Sequence, residues 1–213
     1  YMAVGGMPQA VAAYVEGGNF TEIDEVKREI INLYKDDFFK IDGTGLIGRM
    51  YESIPTQLAT DKRSYVISAA TGKKKVDKDI ERLYNMLDSK TVLPCYNVLN
   101  PSVTLSQTMD NQTFKLYLAD TGLFTTMIFS SSGETDENIY TKLLSDSLPA
   151  DLGYLYENAV AQVINAAERP LYYHTWRKDN VTRYFEIDFL VASKTKIVPI
   201  EVKSSGLGMH KSI

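Results

Sequence analysis

Acidic side chains and a lysine recur at strand spacing within residues 183–203, and they suit metal-assisted hydrolysis. Two apolar-alternating runs flank a short polar link there, as two strands of a hairpin would. In the first, Phe185, Ile187, Phe189 and Val191 share one face, and Glu186 and Asp188 share the other. In the second, Val198, Ile200 and Val202 share a face, with Glu201 and Lys203 opposite. A tight turn at Lys194 and Thr195 sets Asp188 directly across from Glu201. A one-residue slip would turn apolar side chains to the wrong face, so the alternation resists it. Two carboxylates and an ammonium then converge on one patch. Neighbouring carboxylates repel, so the patch calls for a cation, supplied in part by Lys203 and otherwise by a divalent metal.

Phosphodiester hydrolysis fits such a patch. Mg²⁺ favours carboxylate oxygens, keeps several waters and needs only one or two protein carboxylates. It polarises a phosphoryl oxygen and acidifies a water, while a neighbouring lysine orients that water or offsets developing charge. A plainer alternative is a hairpin whose solvent face simply carries charges. The spacing of Asp188 and Glu201-Val202-Lys203 resembles the PD-(D/E)XK core of restriction-endonuclease-like nucleases. That family places an acid on a helix before the hairpin, where this chain has Glu157. The resemblance implies an αβββαβ core with Asp188 and Glu201 as Mg²⁺ ligands. It also implies Lys203 as catalytic base or charge stabiliser and Glu157 as an accessory acid. Ile187 stands where the motif has its proline.

Other elements must position these groups. A helix over 151–167 carries Leu152, Leu155, Tyr156, Ala159, Val160, Val163, Ile164 and Ala167 on one broad face. Glu157 falls at the margin of that face, within reach of the hairpin. Residues 171–176 form a strand with His174 and Trp176 on one side and Tyr173 and Thr175 on the other. Upstream, Pro8 opens a helix that Gly17-Gly18 ends. A long helix over 21–40 follows, with Ile23, Val26, Ile30, Leu33, Tyr34 and Phe38 as its apolar stripe. Its Asp36-Asp37 pair fits a solvated face or a helix-end salt bridge better than a metal site, because adjacent residues diverge by about 100°. Residues 46–58 form a helix broken at Pro55. An amphipathic helix with Val76, Ile80, Leu83 and Leu87 then leads into a strand at 91–98.

Helices followed by a β-hairpin suggest a winged-helix unit, in which Lys73, Lys74, Lys75, Lys78 and Arg82 could meet a phosphate backbone. A solvated lysine cluster at a helix start is the alternative. The segment 114–123 is a strand, a turn and an apolar helix, whose Asp120 is better placed as a helix cap than as a catalytic acid. A loop rich in Ser, Gly and acids over 130–138 marks the boundary region.

Several of these segments also resemble, in order and spacing, one family: the C-terminal half of bacterial and archaeal AAA-type ATPases that carry domain of unknown function 4143. They are Gly5-Gly6-Met7-Pro8, Asp36-Asp37-Phe38, Ser53-Ile54-Pro55, residues 114–123, Tyr154-Leu155-Tyr156-Glu157-Asn158 and the hairpin. The resemblance spans nearly the whole chain and implies an ATPase domain ahead of residue 1. This sequence has no Gly-x-x-x-x-Gly-Lys-Ser/Thr loop, so ATP is expected only in that preceding domain. The expected fold is α+β: a helical, winged-helix-like part over 1–125, then a partial restriction-endonuclease-like αβββ core over 126–213. The core needs a further helix and strand than follow Lys203, so the chain is expected to be a fragment.

Bulk properties leave this open. The 213 residues are 44% hydrophobic and 23% charged, ordinary for a globular protein. No apolar run approaches the roughly 18 residues of a membrane span. Cys95 is alone, which excludes an intramolecular disulfide and a cysteine zinc site, and His174 and His210 are far apart. A reducing, cytoplasmic setting is expected. The net charge of −4 is unlike a dedicated nucleic-acid binder, though a local basic patch is compatible with it. Two functions follow. One is Mg²⁺-dependent hydrolysis of DNA; the other is a non-catalytic, nuclease-derived docking or regulatory module of a nucleotide-driven switch. Expected partners are DNA, the ATPase domain and a second copy of the chain, with no membrane.

Overall fold

The structure, a computed structural model, describes residues 1–60, 64–102, 104–129, 137–145, 152–177, 184–194 and 196–203, without the side chains of 138 and 139. Helix α1 (Pro8–Val15) begins on Pro8, where a missing N–H costs nothing. Helix α2 (Phe20–Ile41) starts in a capping box: Asn19 accepts from the Glu22 N–H at 2.9 Å, and Glu22 accepts from the Asn19 N–H at 3.0 Å. The break expected at Pro55 separates α3 (Leu46–Glu52) from α4 (Ile54–Ala59). Then come α5 (Ile67–Thr71), α6 (Asp77–Asp88), β1 (Val92–Val98) and β2 (Met109–Leu118). Helices α7 (Thr121–Phe129), α8 (Glu137–Leu144) and α9 (Gly153–Ala166) precede β3 (Leu171–Arg177), β4 (Tyr184–Ser193) and β5 (Lys196–Ile200).

Among the described residues the fold is mixed α/β, with nine α-helices and one five-stranded sheet in the order β2-β1-β3-β4-β5. All neighbours are antiparallel except β1 and β3, whose parallel pairing requires the long crossover through α7 to α9. The strands that the helix–hairpin pattern assigned to a wing are thus continuous with the later hairpin through Cys95↔Leu171 and Asn97↔Tyr173. One face of β2 presents Phe114, Leu116 and Leu118 to the core of α2, α3 and α7. The other face, with Tyr117, Cys95, Tyr173 and Phe189, is covered by Ala161 and Ile164 of α9.

Two apolar patterns differ from expectation. Strand β4 does not keep Phe185, Ile187, Phe189 and Val191 on one face. Tyr172 faces Leu190 while His174 faces Ile187, so Asp188 and Phe189 together oppose Tyr173 in a β-bulge. Phe189 and Val191 therefore pack under α9, whereas Ile187 and Leu190 pack with Tyr172 and Val98 on the opposite side. The buried face of α9 is Leu155, Asn158, Ala161 and Ile164, which leaves Val163 exposed. A polar residue decides that rotation. Asn158 accepts from the Leu118 N–H at 2.8 Å and donates to the Leu118 carbonyl and Thr121 Oγ1, each at 3.2 Å. Gln162 accepts from the Thr121 N–H at 2.9 Å and from its hydroxyl at 2.8 Å.

In α2, similarly, Leu33 is exposed while Asp24 and Lys27 are buried. Lys27 donates to the Ala3 carbonyl at 2.8 Å, to Tyr140 Oη at 2.9 Å and to Asp24 at 2.9 Å, tying the N-terminal turn, α2 and α8 together. Asp120 caps α7 as expected, accepting from the Leu123 N–H at 2.9 Å, and also takes the Gly6 N–H at 2.6 Å. The close approach of the N-terminal turn to the start of α7 requires glycine at 5 and 122. A Cβ on Gly5, whose φ is +82°, would lie 2.3 Å from Asp120 Oδ1, and one on Gly122 would lie 2.4 Å from the Val4 carbonyl.

Candidate functional site

The site is built from both ends of the sheet. Lys115 and Tyr117 of β2, two apart, share the face that α9 covers, and Cys95 pairs beside Lys115 on β1. Lys115 is only 7% exposed. Its ammonium donates to the Glu186 carboxylate on β4, stands 4.0 Å from Glu157 Oε2 on α9, and lies 5.3 Å from the Tyr173 ring centre. Tyr117 donates to the same Glu157 Oε2 at 3.0 Å. Burial works against the charge on Lys115, yet Glu186 and Glu157 outweigh it and the lysine pKa stands above its ordinary value. Burial pushes the Tyr117 hydroxyl and the Cys95 thiol up, so both stay protonated.

Asp188, in the bulge, is the anomalous group. Burial first, then the Glu157 charge, pushes its carboxyl up to about 7, with Glu201 adding to the effect. The Val202 N–H, donating to Asp188 Oδ2 at 2.7 Å, opposes the rise. The hairpin register is the one expected: Val191 faces Val198 and Phe189 faces Ile200, so the next pair outward is Asp188 and Glu201. Regular pairing ends at Ile200. Ile200 and Val202 pack inward under α9. Glu201 and Lys203 occupy the rim, 3.0 Å apart, with side chains 32% and 53% exposed. The hydrogen bond with Glu201 raises the Lys203 pKa, and Asp188 and Glu157 contribute through space.

The four expected site residues therefore gather within electrostatic reach of one another, as an inner pair (Glu157, Asp188) and a rim pair (Glu201, Lys203). Among the described residues no group of three or more His, Cys, Asp or Glu side chains forms a ready cage for a metal ion. The donor set suits one hard cation held by Asp188 and Glu201 with waters completing its shell. Desolvation is the larger cause of the Asp188 shift; the part that Glu157 and Glu201 add by repulsion is what such an ion would relieve.

The basic set divides. Lys73, Lys74, Lys75 and Lys78 are exposed where α6 begins. Arg82 is a correction: it is buried, bonded to Asp42 at 2.7 Å and Asp79 at 2.8 Å, and is committed to holding α6 against the end of α2. Asp37 pairs with Lys40 at 2.7 Å, the helix-end salt bridge expected. His174 Nδ1 is bonded to the Val98 carbonyl at 2.6 Å, and His210 and residues 130–136 lie outside the described residues. Lys115, Tyr117 and Glu186 were not anticipated as site residues. A lysine inside the otherwise apolar run 114–118 was the available signal, because a lysine is almost never fully buried unless paired.

Residues 1–134 match a family model described as Domain of unknown function (DUF8612). The chain belongs to that family. Residues 152–213 match a second, Domain of unknown function (DUF4143). The resemblance to domain of unknown function 4143 is thereby placed on the last part of the chain, and the segments before residue 134 fall to the other family. No curated protein and no solved structure matches. The two matched regions share the site: Cys95, Lys115 and Tyr117 come from the first, and Glu157, Glu186, Asp188, Glu201 and Lys203 from the second.

Proposed function

We propose that this face carries out Mg²⁺-dependent hydrolysis of DNA phosphodiesters, with α9, β3, β4 and β5 as the αβββ part of a restriction-endonuclease-like core. One observation carries the reading: Asp188 is half-buried beside Glu157 and Glu201, and its carboxyl is pushed up to about 7, an arrangement that desolvation and repulsion make unfavourable without a cation. Asp188 and Glu201 would hold the ion. When bound, it supplies an acidified water and a polarised phosphoryl oxygen. Lys203, 3.0 Å from Glu201, lies where its ammonium can orient the attacking water and offset charge gathering on the phosphate. Glu157, fixed by Tyr117 and Lys115, acts as the accessory acid. Lys73, Lys74, Lys75 and Lys78, in a winged-helix-like part, would track the DNA backbone, and Arg82 is withdrawn from that role. In the same reading ATP is handled by an ATPase domain ahead of this region.

The test is nicking of supercoiled plasmid by the protein in Mg²⁺ or Mn²⁺. Cleavage is expected to vanish in Asp188→Asn and to fall by about a hundredfold or more in Lys203→Ala. Undiminished cleavage by Asp188→Asn rejects the reading. The Glu201–Lys203 ion pair and the missing three-ligand cage among the described residues favour a second one, a nuclease-derived docking module without catalysis. Divalent-ion uptake that Asp188→Asn abolishes counts against that alternative.

A further inference from the structure

We infer that a pocket between α2 and α3 binds a small zwitterion with an apolar body, such as an α-amino acid, holding its cationic group at Asp36 and its anionic group at Arg49. The two helices pack on the side of the sheet opposite α9, and the inference does not rest on the function proposed above.

The pocket has a volume of about 320 Å³, at the lower end of the range for small-molecule sites. Helix α2 lines it with Lys35, Asp36 and Phe39, and α3 with Arg49 and Glu52, each set spaced three and four apart so that it shares one side of its helix. Gly45 and Gly48 complete the lining with backbone alone. The charged walls form two opposite couples. Lys35 of α2 and Glu52 of α3 are closed into an ion pair at 2.5 Å. Asp36 of α2 and Arg49 of α3 repeat that couple with the signs reversed, and they are not joined. Among the described residues neither side chain is in a hydrogen bond or a salt bridge. The neighbouring Asp37 takes Lys40 at 2.7 Å, and Asp36 acts on that lysine only through space. A ligand with one charge would meet a like charge in the same pocket, whereas a ligand with both finds a partner for each. Phe39 is 57% exposed, and an apolar body laid against it takes that surface out of water. The Asp36-Asp37 pair thus divides, Asp37 to the helix-end salt bridge and Asp36 to the pocket.

The experiment titrates the whole protein with L-phenylalanine, followed by calorimetry and ligand-observed NMR. Phenylacetate and phenethylamine, which keep the ring and one charge each, are the controls, with glycine as the zwitterion that lacks a body. L-Phenylalanine is expected to bind saturably, about tenfold or more tighter than any of the three. Asp36→Asn is expected to bring it down to the level of phenylacetate, and Arg49→Met to that of phenethylamine. Both side chains are exposed and unbonded among the described residues, so both variants are expected to melt as wild type does. No binding by wild type, a control that binds as tightly as L-phenylalanine, or unchanged affinity in either variant overturns the inference. Asp188→Asn is expected to bind L-phenylalanine as wild type does, so a failure of the proposed hydrolysis leaves this result standing. Loss of binding in Asp188→Asn places the ligand at the acidic face instead and overturns the inference.

Discussion

Asp188 carries a consequence that can be read without any substrate. Its carboxyl is pushed from an ordinary 3.8 up to about 7, so the folded state holds a proton that the unfolded chain releases. A raised folded pKa means that this group's stabilising contribution is complete below about 4 and is lost as pH rises through about 7. The ion-free protein is therefore expected to lose melting temperature between about pH 4 and 7. Asp188→Asn, which keeps an acceptor for the Val202 N–H, is expected to flatten that slope and melt higher than wild type at pH 8. A lower melting temperature for Asp188→Asn at pH 8, followed by circular dichroism, contradicts the account. Removing a functional carboxylate commonly stabilises a fold in this way. At this scale Asp188, Glu201 and Lys203 were legible because the period of a strand fixes which residues are neighbours. Lys115 was not, since its partner Glu186 is 71 positions away and no local pattern joins them.

The hairpin register followed from the turn at Lys194 and the apolar alternation, and the structure has it. The bulge at Asp188 and Phe189 did not, because an extra residue on one strand leaves the period-two pattern of that strand intact while turning part of it over. It also aims Asp188 toward Glu157. Helix α9 was legible as a helix but was rotated from its apolar stripe by Asn158, whose bonds to Leu118 and Thr121 dock it on β2. Asn158→Ala leaves the buried Leu118 N–H and carbonyl without this side chain. The expected cost is about 2–4 kcal/mol, read from urea midpoints. A cost below about 0.5 kcal/mol would show that α9 is placed by its apolar contacts instead.

Across the molecule, one sheet takes β1 and β2 from the region matched to the first family and β3, β4 and β5 from the region matched to the second. A composition shift around 130–138 was visible in the sequence, and the two matched regions divide nearby, between residues 134 and 152. The joining of β1 to β3 was not visible, because a parallel pair across so long a crossover has no local signature. No helix among the described residues is long and apolar enough to cross a membrane. Lys115–Glu186 and Tyr117–Glu157 join the two regions, so the proposed chemistry would depend on β2 as well as on the hairpin. The most direct test is a crystal of the protein soaked in Mn²⁺ and measured for anomalous scattering. One peak within about 2.5 Å of carboxylate oxygens from both Asp188 and Glu201, and none against Glu157 or Glu186, is the expected result. An absent peak, or one lodged between Glu157 and Glu186, contradicts it.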